Sequence, residues 1–66
     1  MQLTTKTKNA IKNSNKVKGM IADIFNVSHQ SVNIWLKESP THNNLLNLKC
    51  IEIYKKELGI NEPIKK

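Results

Sequence analysis

Gln30, Asn33, Ile34 and Lys37 recur at helical spacing, and their types suit one kind of chemistry. An amide side chain both donates and accepts, so Gln30 and Asn33 can each bond the edge of an adenine in bidentate fashion. Ile34 offers the apolar contact that a thymine methyl takes, and Lys37 a cation for guanine or phosphate. A face that was only solvated would favour Glu and Lys instead. The other chemistry-bearing residues form no comparable group. Cys50, His29, His42 and the five carboxylates have neither the spacing of a catalytic arrangement nor the paired short spacing of a zinc site. The expectation is therefore no enzyme, no metal, no cofactor and no small-molecule ligand.

Four helical segments must position these residues, and nothing alternates at period two, so the expected class is all-α. The first helix, residues 3–12, is weakly amphipathic through Leu3, Thr7, Ala10 and Ile11, and Asn13-Ser14-Asn15 ends it. Ser14 or Asn15 caps a second helix over 16–25, where Val17, Met20, Ile21, Ile24 and Phe25 make one apolar stripe. Asn26 tolerates the left-handed backbone of a tight exit. Ser28 caps a third helix over 29–38, which buries Val32, Trp35 and Leu36 and ends at Ser39-Pro40. A fourth helix starts at Thr41 or Asn43 and stops at Gly59. Residues 1–60 thus read as one domain, and 61–66, broken by Pro63, as a short frayed tail.

The run Ile21-Ala22-Asp23-Ile24-Phe25-Asn26-Val27-Ser28-His29-Gln30-Ser31-Val32-Asn33-Ile34-Trp35-Leu36 resembles the helix-turn-helix of the phage repressor and Cro family. The small Ala22 lets two helices cross closely, Val27 plugs the turn into the core, and Val32 and Trp35 pack the third helix on the second. Asn26 stands where that family usually has glycine, a departure the same backbone geometry tolerates. The resemblance implies a compact four-helix domain, with a five-helix variant, that is lambda-repressor-like, with the helix-turn-helix between residues 17 and 37. It also implies that the start of the third helix approaches DNA, which adds His29 and Ser31 to the base-reading set and Ser28 to the phosphate contacts. Small size and this resemblance together suggest a phage or mobile element as the source.

Charge points the same way. The chain carries +6, and its first 37 residues hold six lysines against Asp23 alone, a net +5. A basic half beside a near-neutral half suits a polyanion. Lys16 and Lys18 are placed to reinforce a phosphate site at the start of the second helix, and Lys37 one at the end of the third.

From Leu45 to Leu58 apolar residues cover more than half of the fourth helix. A helix so broadly apolar in so small a domain is expected to bury a second face against another chain, with Ile51, Ile53, Tyr54 and Leu58 at a homodimer interface. With no apolar run of membrane-spanning length and a polar N-terminus, the expected location is cytoplasmic, nucleoid-associated. The functional expectation is a sequence-specific regulator of transcription on double-stranded DNA, Cro-like or repressor-like. Its rivals are an excisionase or terminase type of DNA-architectural factor, and a protein-binding adaptor that works through the fourth helix.

Overall fold

Each of the four α-helices opens where a short polar side chain turns back onto its first turn. In the computed structural model, which describes residues 1–65, Thr4 Oγ1 accepts from the Thr7 amide at 3.2 Å to open α1, Thr5–Lys12. Ser14 Oγ accepts from Val17 at 3.2 Å to open α2, Asn15–Phe25. Ser28 Oγ accepts from Ser31 at 3.3 Å to open α3, His29–Lys37. Asn47 Oδ1 accepts from Lys49 at 2.9 Å to open α4, Leu48–Glu57. Caps of this kind each stabilise a helix by about 1 kcal/mol.

Between α2 and α3 the chain turns within residues 26–28. Asn26 takes φ 54° and ψ 50°, and the next amide, Val27, donates back to the Ala22 carbonyl at 3.0 Å. This is the left-handed exit expected of asparagine. Val27 itself departs from expectation. At 36 % exposure it is only partly covered, and it does not belong to the core cluster.

The expected long fourth helix is broken. Asn43–Leu46 form a 3-10 turn, Asn47 is extended at φ −62° and ψ 143°, and α4 starts only at Leu48. A continuous helix would bond the Leu45 carbonyl to the Lys49 amide. Instead the buried Tyr54 hydroxyl donates to Leu45 O at 2.8 Å, and the Lys49 amide goes to the Asn47 side chain. Tertiary packing and a local cap together outcompete the helical bond. Gly59, at φ 65°, then ends the helical region as its type predicts.

The chain ends also differ from the all-α expectation. Gln2–Leu3 form strand β1 and Ile64–Lys65 strand β2, paired antiparallel with Gln2 opposite Lys65 and Leu3 opposite Ile64. Leu3 is thus in a strand, not in the first helix. Within the expected frayed tail, residues 63–65 are packed: Pro63 is buried, as is Ile60 before it, and the Pro63 carbonyl accepts from the Thr4 amide at 3.0 Å and from Thr7 Oγ1 at 3.2 Å. The outer side of Leu3 is closed by its amide donating to Thr41 Oγ1 at 3.0 Å. Lys66 lies outside the described residues.

The molecule is mostly helical, with one small sheet joining its ends. Its core is built from Leu3, Ile11, Val17, Ile21, Val32, Leu36, Leu45, Cys50 and Tyr54. Thus every helix contributes, and α3 is held by Val32 and Leu36 from within. Among the described residues no helix is long and apolar enough to cross a membrane.

Candidate functional site

With Val32 and Leu36 anchored in the core, helical geometry turns Gln30, Asn33, Ile34 and Lys37 to the opposite side, and all four are exposed. Ile34 is 53 % exposed, unusual for so large an apolar residue on a helix with a well-filled inner face. None of the four side chains makes a hydrogen bond or ion pair among the described residues, so both amides keep their full donor and acceptor capacity.

The pose of α3 is fixed on two flanks. Trp35 meets Phe25 of α2 edge to face, ring centroids 5.5 Å apart, and stacks on His42 at 4.8 Å with an interplanar angle of 18°. His42 is itself held, since its Nδ1 accepts from the Asn44 amide at 3.0 Å. At the far end the Lys8 ammonium from α1 donates to the Glu38 carbonyl, the cap of α3, at 3.4 Å. Such bracing suits a helix that must present side chains in a fixed array.

The remaining expected site residues fall in different places. Ser28 and Ser31 are engaged with each other in the cap, their hydroxyl oxygens 3.4 Å apart, in addition to the amide bond already described. His29 is exposed, and its ring edge lies beside α2 at Gly19. Lys18 is half-buried and Lys37 exposed. Lys16 is not a free cation: its ammonium pairs with Glu57 of α4 at 2.9 Å. The hydrogen bond and charge of Lys16 hold the Glu57 carboxyl below the usual carboxylate range. A carboxylate at this end of α2 makes a poorer phosphate site than an unpaired lysine would.

The residues expected at a dimer interface are mostly spent within the chain. Tyr54 is 0 % exposed and hydrogen-bonded in the core, so it is not an interface residue. Ile51, Ile53 and Leu58 are half-buried against that same core, where Ile64 of the returning tail and Leu46 also pack. The broad apolar surface of α4 is covered mainly by α2 and the 3-10 turn, with Ile64 of the returning tail packed against the same core. Only Leu48, 77 % exposed, stands clear.

Other chemistry finds little support. Burial pushes the Cys50 thiol up to about 11, opposite to what a nucleophile needs. No group of three or more His, Cys, Asp or Glu among the described residues is arranged to hold a metal ion. Two shallow open depressions lie beside the chain ends, around Thr4, Asn61 and Glu62, and neither includes a histidine or cysteine.

Sequence reasoning missed the contributions of His42 and Lys8, which reach α3 only through the fold. It also passed over Gly19, although an isolated glycine inside a helical pattern is itself a signal. Set against family models, curated proteins and solved structures, the chain matches none.

Proposed function

We propose that the protein is a sequence-specific regulator that binds double-stranded DNA, with α2 and α3 acting as a helix-turn-helix and α3 as the reading helix. One observation carries this. Two unpaired amides, an exposed isoleucine and a lysine share the outer side of a helix whose inner side is locked into the core. Gln30 and Asn33 would read adenine edges, Ile34 a thymine methyl, and Lys37 a guanine or a phosphate. The net charge of +6 supplies the long-range attraction to the duplex. With Lys16 committed to Glu57, backbone contacts fall to Lys18, Lys37 and the amide end of α3 near Ser28, with Lys8 as an added candidate at its other end.

Two copies per operator belong to this proposal for a functional reason, not because an apolar face is left over. One helix reads only a few base pairs, and pairing two copies about one DNA turn, ~34 Å, apart gives a site long enough to be specific. A Cro-like or repressor-like role, blocking or recruiting polymerase, is the form of regulation the sequence resemblance favours.

Selection of bound duplexes from random DNA tests the proposal. The expected result is enrichment of a short A/T-containing inverted repeat, with binding that weakens steeply as salt rises. Failure to enrich any sequence at low salt would overturn it.

A further inference from the structure

Gly19 sits in the middle of α2, where glycine is disfavoured relative to alanine because it gains nothing from the helix and loses more chain entropy. Its φ is not positive, so its backbone freedom is not what the position uses. The lack of a side chain is. A Cβ at Gly19 would come 3.2 Å from His29 Nε2 and 3.5 Å from Cε1, the first of these closer than ordinary van der Waals contact. His29 is the first residue of α3, and side chains there lean back toward the helix start. Its ring therefore crosses the turn and lies on bare α2 backbone. Stepping along α2, Gly19 falls on the exposed side with Asn15, Lys16 and Asp23, away from Val17 and Ile21, so the ring rests outside the core.

We propose that Gly19 and His29 form a positioning pair, in which the glycine seats the imidazole on α2 and so sets how the first turn of α3, and with it Gln30 and Asn33, enters the DNA groove. His29 is then a positioning residue and not a reader of bases. The inference rests on the DNA-binding proposal above. It explains why a helix-disfavouring residue stands where alanine would serve α2 better. It also gives His29 a role that fits a ring set beside Gly19 of α2.

The test compares the full chain with Gly19→Ala, His29→Ala and the double variant, using the best duplex selected by the unaltered protein and a scrambled control. Thermal unfolding of each is followed by circular dichroism. Gly19→Ala is expected to melt no lower than the parent, because an exposed ring can give way, yet to bind the selected duplex about fivefold more weakly, ~1 kcal/mol. His29→Ala is expected to lose about as much without changing base preference in a repeated selection. The double variant is expected to bind no worse than His29→Ala alone, because the two residues act through one contact. In the free protein, a nuclear Overhauser effect between the His29 ring and the Gly19 α-protons reports the seat directly.

Losses that multiply in the double variant, unchanged affinity in Gly19→Ala, absence of the Overhauser contact, or a preference change at one base pair in His29→Ala would each overturn the pair. The last would make His29 a reader. If the unaltered protein selects no DNA, the DNA-binding proposal fails first, and that outcome is distinct from a protein that binds DNA but is indifferent to Gly19→Ala.

Discussion

The α2–α3 pair and the segment from the 3-10 turn to β2 each carry more apolar side chain than a surface helix needs, and they use it in opposite ways. In the first, Val32 and Leu36 are buried while Ile34, between them in sequence, stays outside with Gln30, Asn33 and Lys37. In the second, the breadth of α4 is absorbed by its own chain, with Tyr54 at the centre and Ile51, Ile53 and Leu58 packed around it. Excess apolar character thus has two meanings. On the proposed reading, the exposed Ile34 among unpaired polar residues is there for a ligand. Where irregular neighbours remain to be placed, excess apolar character points to the core.

The largest effect that can break this contrast is at Tyr54. Tyr54→Ala removes a fully buried ring and is expected to cost ~3 to 5 kcal/mol, close to the whole stability of a domain this small. Urea unfolding should find it largely unfolded. Tyr54→Phe, which leaves the Leu45 carbonyl without its 2.8 Å bond, is expected to cost ~1 to 3 kcal/mol. A folded Tyr54→Ala protein that had lost only self-association would return Tyr54 to an interface.

Next comes the reading helix, where stability and binding should separate. Gln30→Ala and Asn33→Ala are expected to leave unfolding within ~0.5 kcal/mol of the parent. Each should relax sequence preference at its own base pair by ~1 to 3 kcal/mol. Lys18→Ala should instead weaken binding to every sequence and flatten the salt dependence. If all three variants behaved alike in competition binding, the assignment of the outer arc would be wrong.

The two valines around the turn sharpen the contrast further. Val32→Ala should lose ~2 kcal/mol or more through transfer and cavity terms. Val27→Ala, at a residue 36 % exposed, should lose less. Equal losses in denaturant titration would put Val27 back in the core.

The smallest effect is at the Lys16–Glu57 pair, which ties the start of α2 to the end of α4. Glu57 has its carboxyl held below the ordinary range by Lys16. Its contribution to stability is therefore complete above the ordinary carboxylate pKa and is lost as pH falls through the depressed value. The melting-temperature difference between the parent and Lys16→Ala should be small at neutral pH, as for most exposed pairs, and should vanish in strong acid. A difference that persisted there would mean that Lys16 acts through packing of its stem.

The starts of α2 and α3 were the most legible part of this molecule, whereas those of α1 and α4 were misplaced. Ser14 and Ser28 are caps because a hydroxyl just before an apolar period has one favourable use, and Asn26 takes the left-handed exit because few other residues tolerate it. The outward arc of α3 followed from the same local periodicity, with Gln30, Asn33, Ile34 and Lys37 opposite Val32 and Leu36. The position of the His29 ring beside Gly19 was not legible, because it depends on a gap in another helix. The pairing of Lys16 was not legible because Glu57 lies 41 positions along the chain.

Local sequence set where α2 and α3 begin, which side of each turns inward, and which side-chain types α3 holds outward, since all three depend on residues within a few positions of one another. Long-range packing decided the return of Pro63 and Ile64 onto Thr4 and Leu3 and, together with the local Asn47 cap, the break before α4. Those outcomes depend on single long-range bonds and two-residue strands, too short to leave a period and too distant to be seen from either end.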